Sequence, residues 1–129
     1  MEWELKSDRP IYLQLMEQIQ LRIVSGGYPA GSKLPPVRDL AAEASVNPNT
    51  MQKALSELER GGLIYSQRTS GRFITEDEGM IQTVKIGLAK EQIKAFFERM
   101  QQLGYSKEET VSLLEPVSYT HLTLPTTPY

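Results

Sequence analysis

PPVRDLAAEASVNPNTMQKALSELERGG, from Pro35 to Gly62, is the stretch whose reading decides the fold. Pro35 and Pro36 end any extended piece before them. They also suit the first turn of a helix, because a missing N–H and a fixed φ cost nothing there. The helix they open, Val37 to Ala44, sets Val37, Leu40, Ala41 and Ala44 on one face. Ser45-Val46 makes the turn, with Val46 expected inside. Asn47-Pro48 is a second helix start: the Asn side chain accepts from an orphan N–H, and Pro sits at the first helical position. That helix runs to about Arg60. Met51, Ala54, Leu55 and Leu58 form its buried stripe and leave Asn49, Gln52, Lys53 and Ser56 facing outward, until Gly61-Gly62 stops it.

Reading outward from this pair, an earlier helix spans Ile11 to Ser25 and closes at Gly26-Gly27. Tyr12, Leu15, Met16, Ile19 and Ile23 give its apolar face and Gln14, Glu17, Gln18 and Arg22 its wet one. Residues 28–33 read as a turn-rich connector. On the other side, Leu63–Ser66 and Arg72–Thr75 have strand character and are separated by Gln67-Arg-Thr-Ser-Gly71, a hairpin with Gly71 supplying a special backbone angle. Three helices and a hairpin thus fill residues 1–76.

Residues 77–116 read as an arm of two helices, with Asp77 and Glu78 as a solvated linker. The first, about Met80 to Leu103, carries Val84, Leu88, Ile93, Phe96, Phe97 and Met100, with Gly87 placed to bend it and Gly104 to stop it. Ser106-Lys-Glu-Glu109 is a capping box opening the second, which bears Val111, Leu113 and Leu114. Such an arm has an apolar stripe and little of its own to bury it against, so the stripe is assigned to pairing with a second copy.

Residues 117–129 break with this pattern, having no charge and no helical periodicity. Val117–Thr126 back-translates to GTC TCT TAT ACA CAT CTG ACG CTG CCG ACG, which resembles the end of a transposase-based sequencing-library adapter. The expectation is a non-native, adapter-derived tail following a natural chain cut near Glu115, and it is set aside from fold reasoning.

The 129 residues hold one ordinary domain and an appendage, with 40% hydrophobic and 23% charged residues. No apolar run reaches the roughly 20 residues of a membrane span. Met1-Glu-Trp-Glu-Leu carries acids where a secretory signal carries bases, so a cytoplasmic protein with no membrane partner is expected. Cysteine is absent and the single histidine, His121, lies in the tail. With neither residue elsewhere and no glycine-rich phosphate loop, no enzyme, cofactor or metal site is expected.

A short helix, a tight turn and a capped helix of about three turns form the unit that lays its second helix in the DNA major groove. Asn49 and Gln52 are the base-reading candidates, since amides match the donor and acceptor patterns presented there. Thr50, Lys53 and Arg38 are placed as phosphate or edge contacts. Arg68 and Arg72 flank a hairpin tip small enough to enter the minor groove or lie along the phosphates. The net charge of -2 is no basic signature, but between Lys33 and Arg72 six bases face four acids.

These residues resemble a known family. Pro10-Ile-Tyr-Leu-Gln14, GSKLPPVRDLA (Gly31–Ala41), VNPNTMQKALSEL (Val46–Leu58) and Gly62-Leu-Ile-Tyr65 are similar to the GntR family of winged-helix regulators over about residues 9–75. The short two-helix arm is similar to that of the YtrA subfamily, where it serves mainly in dimerisation. The resemblance implies a mainly α fold with a small β-hairpin: a winged helix-turn-helix followed by a two-helix dimerisation arm. It implies DNA contacts from Arg38 and the start of the third helix, and Gly71 at the wing tip. Pro36 departs from the usual Ser, Thr69 from a frequent wing Gly, and Pro48, Asn49 and Gln52 from the contact residues of some relatives.

The function expected is a homodimeric transcription regulator, of the repressor kind, on palindromic double-stranded operator DNA. A small-molecule effector of unknown identity would act through the arm. The alternative reading is a winged-helix module for protein contact, marked by DNA affinity that is absent or insensitive to salt.

Overall fold

The computed structural model describes residues 2–123, with side chains described as far as Glu115. The elements run α1 (Ile11–Val24), α2 (Val37–Ala44), α3 (Pro48–Arg60), β1 (Ile64–Gln67), β2 (Gly71–Ile74), α4 (Glu78–Gln102) and α5 (Lys107–Thr123). This is the mainly helical winged helix-turn-helix expected. The chain divides into two compact units, residues 1–86 and 87–129. The expected division was at 76/77; the start of α4 instead belongs to the first unit, where Met80, Ile81 and Val84 pack against its core.

That core is built on the α3 stripe. Met51, Ala54, Leu55 and Leu58 are buried with Leu15, Ile19 and Ile23 of α1, Leu40, Ala41 and Ala44 of α2, and Leu63, Ile64 and Ile74 of the hairpin. β1 and β2 pair antiparallel with Ile64 opposite Ile74, Tyr65 opposite Phe73, Ser66 opposite Arg72 and Gln67 opposite Gly71. Alternation then sends Ile64 and Ile74 inward and the stacked rings of Tyr65 and Phe73, 5.8 Å apart, to the other face. The turn is Arg68–Ser70, and Gly71 takes the positive φ of 102° expected of it.

The connector before α2 does more than turn. Ile74 donates its N–H to the Ser32 carbonyl and Leu34 to that of Arg72, each at 2.8 Å, and Lys33 bridges Phe73, so residues 32–34 lie along β2 as a third edge. Ser45, between α2 and α3, holds φ 58° and ψ 46° and is the one non-glycine with positive φ among the described residues. Its N–H and that of Val46 close the end of α2 on Ala42 and Ala41. Val46 is half-buried against the core rather than fully inside.

Two residues assigned to the wet face of α1 are buried, because residues 2–9 lie across that face. Gln14 accepts from the Lys6 N–H and donates to the Lys6 carbonyl, both at 2.6 Å, and to Arg9 O at 2.9 Å. One helical turn on, Gln18 accepts from Glu4 N–H at 3.1 Å and donates to the Glu4 carbonyl. The spacing works because four helical residues rise about 6 Å and two extended residues about 6.6 Å. Each amide therefore serves as a surrogate peptide group for a passing strand. Arg22, one turn further, lies 3.9 Å from the Trp3 ring centroid and donates to Tyr28 Oη at 3.3 Å.

The second unit opens with the remainder of α4. Gly104, at φ 101°, ends the helix as expected, its N–H on Gln101 O and that of Tyr105 on Met100 O. The capping box forms: Ser106 N–H donates to Glu109 Oε1 at 2.9 Å and Glu109 N–H to Ser106 Oγ at 3.1 Å. Helix α5 continues past Pro116 to Thr123, so part of the stretch read as lacking helical periodicity carries helical backbone. The rest of that stretch, 124–129, lies outside the described residues. Asp77 also departs from a plain solvated linker, accepting from the Met80 N–H at 3.1 Å to cap α4.

A left-handed backbone costs an L-residue about 1–2 kcal/mol. Part of that gain on substitution is offset by the greater freedom of unfolded glycine. Ser45→Gly should therefore stabilise the first unit by about 0.5–1 kcal/mol and Ser45→Val should destabilise it, as read from urea unfolding midpoints.

Candidate nucleic-acid interface

The outward face of α3 starts at its cap. Asn47 accepts from Asn49 N–H through Oδ1 at 2.7 Å, with Pro48 in the first helical position, as the sequence requires. From there the stripe of buried residues forces the intervening side chains outward: Asn49, Gln52, Lys53 and Ser56 are exposed and Thr50 is half-buried. The Gln52 amide donates to Ser56 Oγ at 3.2 Å, which orients it along the helix face while leaving its carbonyl oxygen open. Lys53 folds back toward α1, its Nζ 3.9 Å from the centroid of the Tyr12 ring. Arg38 is exposed in the first turn of α2, the helix packed against α3.

The two arginines expected on the hairpin part company. Arg68 is exposed in the turn, whereas Arg72 donates through Nε to Glu59 Oε1 at 3.3 Å with its side chain only 20% exposed. Strand alternation is the cause. Arg72 is two residues from buried Ile74 and so shares its face, toward α3. It ties the hairpin to the end of the third helix, a role that the same period-2 count would have revealed. Glu57 is likewise held by Arg60 at 3.1 Å. Among the described residues of this segment, Lys33, Arg38, Lys53 and Arg68 are left with no carboxylate partner. The mild positive balance seen in the sequence is therefore concentrated in cations available to a ligand.

The residues assigned to pairing divide between the units. Val84 belongs to the first, half-buried against its core. In the second, Leu88, Phe96, Phe97 and Met100 are half-buried and Ile93 is 54% exposed; no residue of α4 is buried. Leu103, Val111, Leu113 and Leu114 are also exposed. Ile93, Phe97 and Tyr105 line a groove of about 480 Å³ together with Lys90, Lys94, Glu98 and Lys107. Among the described residues there is no cluster that could hold a metal ion, and no helix is long and apolar enough to cross a membrane.

A capped third helix with a polar outer face, set beside a two-stranded wing and surrounded by unpaired cations, defines a DNA-binding winged helix-turn-helix. The chain belongs to the GntR family: residues 11–74 match the model described as bacterial regulatory proteins, gntR family. It is 40% identical to the HTH-type transcriptional regulator YhcF of Bacillus subtilis (strain 168), over 84% of this chain and 90% of that one. The HTH-type transcriptional repressor YtrA of the same organism is 34% identical, over 88% of each chain. A solved GntR family transcriptional regulator from Listeria monocytogenes superposes with a TM-score of 0.78 at 38% identity, covering 87% of this chain and 98% of that one. The protein is thus a transcription regulator with a DNA-binding domain, not an enzyme.

The Tyr12–Lys53 contact joins α1 to the outer edge of α3. A double-mutant cycle of Tyr12→Leu and Lys53→Met, read by chemical unfolding, should give a coupling of about 0.5–1 kcal/mol, the range for an exposed cation–π pair. Tyr12→Phe should preserve it.

Proposed function

We propose that this regulator acts as a homodimeric repressor in the cytoplasm, binding a palindromic operator through α3 and the wing and pairing through the arm. The observation that carries the DNA reading is the outer face of α3, where Asn49 and Gln52 stand exposed above a fully buried stripe. In this reading those two amides meet base edges, while Arg38, Thr50, Lys53 and Arg68 meet phosphates or groove edges. Gly71 shapes the wing, and Arg72 contributes by fastening it to Glu59.

Pairing is supported by the exposed apolar side chains of α4 and α5, which one copy leaves unburied. Leu88, Ile93, Phe96, Phe97 and Met100 are the dimerisation residues in this reading, with Val84 retained at the margin where it meets the winged-helix core. Two copies related by a two-fold axis would present their third helices to successive major grooves about 34 to 36 Å apart. Coupling two weak modules in this way raises affinity without new contacts. Repression follows the relative YtrA, which carries that designation. An effector, where one exists, acts by changing dimer geometry.

The test is selection of genomic fragments from the source organism on the purified protein, followed by titration at two salt concentrations. A salt-sensitive two-fold site is expected, with affinity in the range of about 10⁻⁸ to 10⁻¹¹ M. No enriched fragment, or salt-insensitive binding, would point to a protein-contact module instead. Within that assay Gln52→Ala should relax preference at one base position, and Arg38→Ala should weaken binding to every sequence alike. Indistinguishable profiles for the two variants would refute the division of roles. Phe97→Glu should shift the protein to monomer in sedimentation and weaken operator binding while the winged helix stays folded.

A further inference from the structure

We infer that Lys33 is a DNA-backbone contact of the wing, taking the place that hairpin position alone would assign to Arg72. The inference rests on the operator-binding reading and deepens it.

Three observations carry it. The first is the sheet. Lys33 bridges Phe73, so its side chain falls on the outer face in a row with Phe73 and Tyr65, whereas Arg72 falls on the inner face with Ile74. The second is partnership. Arg72 is engaged by Glu59 and mostly covered, while Lys33 is exposed and has no carboxylate partner among the described residues. The third is direction. A β-carbon placed on Gly71 would stand 3.2 Å from Lys33 Cε and 4.0 Å from its Nζ, so the lysine stem crosses the strand at the position that has no side chain. Gly71 opens β2 directly after the Arg68–Ser70 turn, so the ammonium is carried toward the turn end of the hairpin.

These features give the wing two outward cations from different parts of the chain, Arg68 in the turn and Lys33 from the edge before α2. An ammonium on a flexible stem suits a phosphate, which asks for charge and no fixed orientation. Lys33 therefore adds affinity without sequence preference. Gly71 is held to glycine by its φ of 102°, and its bare Cα leaves the lysine stem room to pass.

The experiment compares wild type with Lys33→Gln, Lys33→Arg and Arg72→Gln. Binding to a random-sequence duplex and to the fragment selected by the wild-type protein is titrated across a salt series. Each phosphate neutralised contributes about 0.9 to the slope of log K against log salt. Lys33→Gln should lower the slope by about that amount per protomer on both duplexes and weaken binding several-fold, with an unchanged urea midpoint. Lys33→Arg should restore the slope. Arg72→Gln should lower the urea midpoint and leave the slope as in wild type. An unaltered slope in Lys33→Gln, or a loss that appears only in Arg72→Gln, overturns the inference while operator binding stands. Wild type without salt-sensitive DNA binding overturns the operator reading, and Lys33 with it.

Discussion

The winged-helix unit depends on burial of one stripe of α3. Met51, Ala54, Leu55 and Leu58 are each buried, with α1, α2 and β1 packed around the same helix. Full burial of a Met or Leu side chain is worth about 1.5–3 kcal/mol, and a helix of 3.6 residues per turn cannot rotate to free its other face without exposing all four. The polar face is thus held outward by the apolar one. The same lock fixes the start of the helix, since the Asn47 cap and Pro48 must sit where the stripe begins. The hairpin inherits its position from Leu63 and Ile64, which enter the same core, and from the Arg72–Glu59 pair at the helix end.

Charge follows from this arrangement more than from composition. A chain with a net charge of -2 can still offer DNA a positive surface when its acids are engaged locally. Glu57 and Glu59 lie near the end of α3 and pair with Arg60 and Arg72, away from the helix start. Around α3 and the wing Lys33, Arg38, Lys53 and Arg68 stand clear of those pairs, Lys53 resting on the Tyr12 ring.

The local features were legible in the sequence. Caps, stops and helical stripes depend on residues within a turn or two of each other, so Asn47-Pro48, Gly104 and the Ser106–Glu109 box could be read directly. Long-range pairings were not. Nothing near Ser32–Leu34 signals a third edge on β2, because the run is short and ends in two prolines. Gln14 and Arg22 look solvated until residues 2–9 cover them; the available clue was the alternation of Trp3 and Leu5, which pack toward the core, with charged Glu2, Glu4 and Lys6. For the candidate interface, the helix face was plain from its period. In the wing, proximity to the tip and strand alternation point opposite ways for Arg72, and alternation from buried Ile74 turns it inward. Val84 continues the arm's stripe in period yet packs on the winged-helix core, because periodicity alone cannot say which body a helix turn packs against.

The docked segment at the beginning of the chain has an optical consequence. Trp3 is the sole tryptophan of the 129 residues, and its ring rests on the Arg22 guanidinium while its indole N–H reaches Glu43 of α2 at 3.5 Å. All tryptophan emission from this protein therefore originates where the segment meets α1 and α2. Release of the segment would transfer that fluorophore to water and alter its spectrum, so the molecule carries an intrinsic dye for following this one contact without any label.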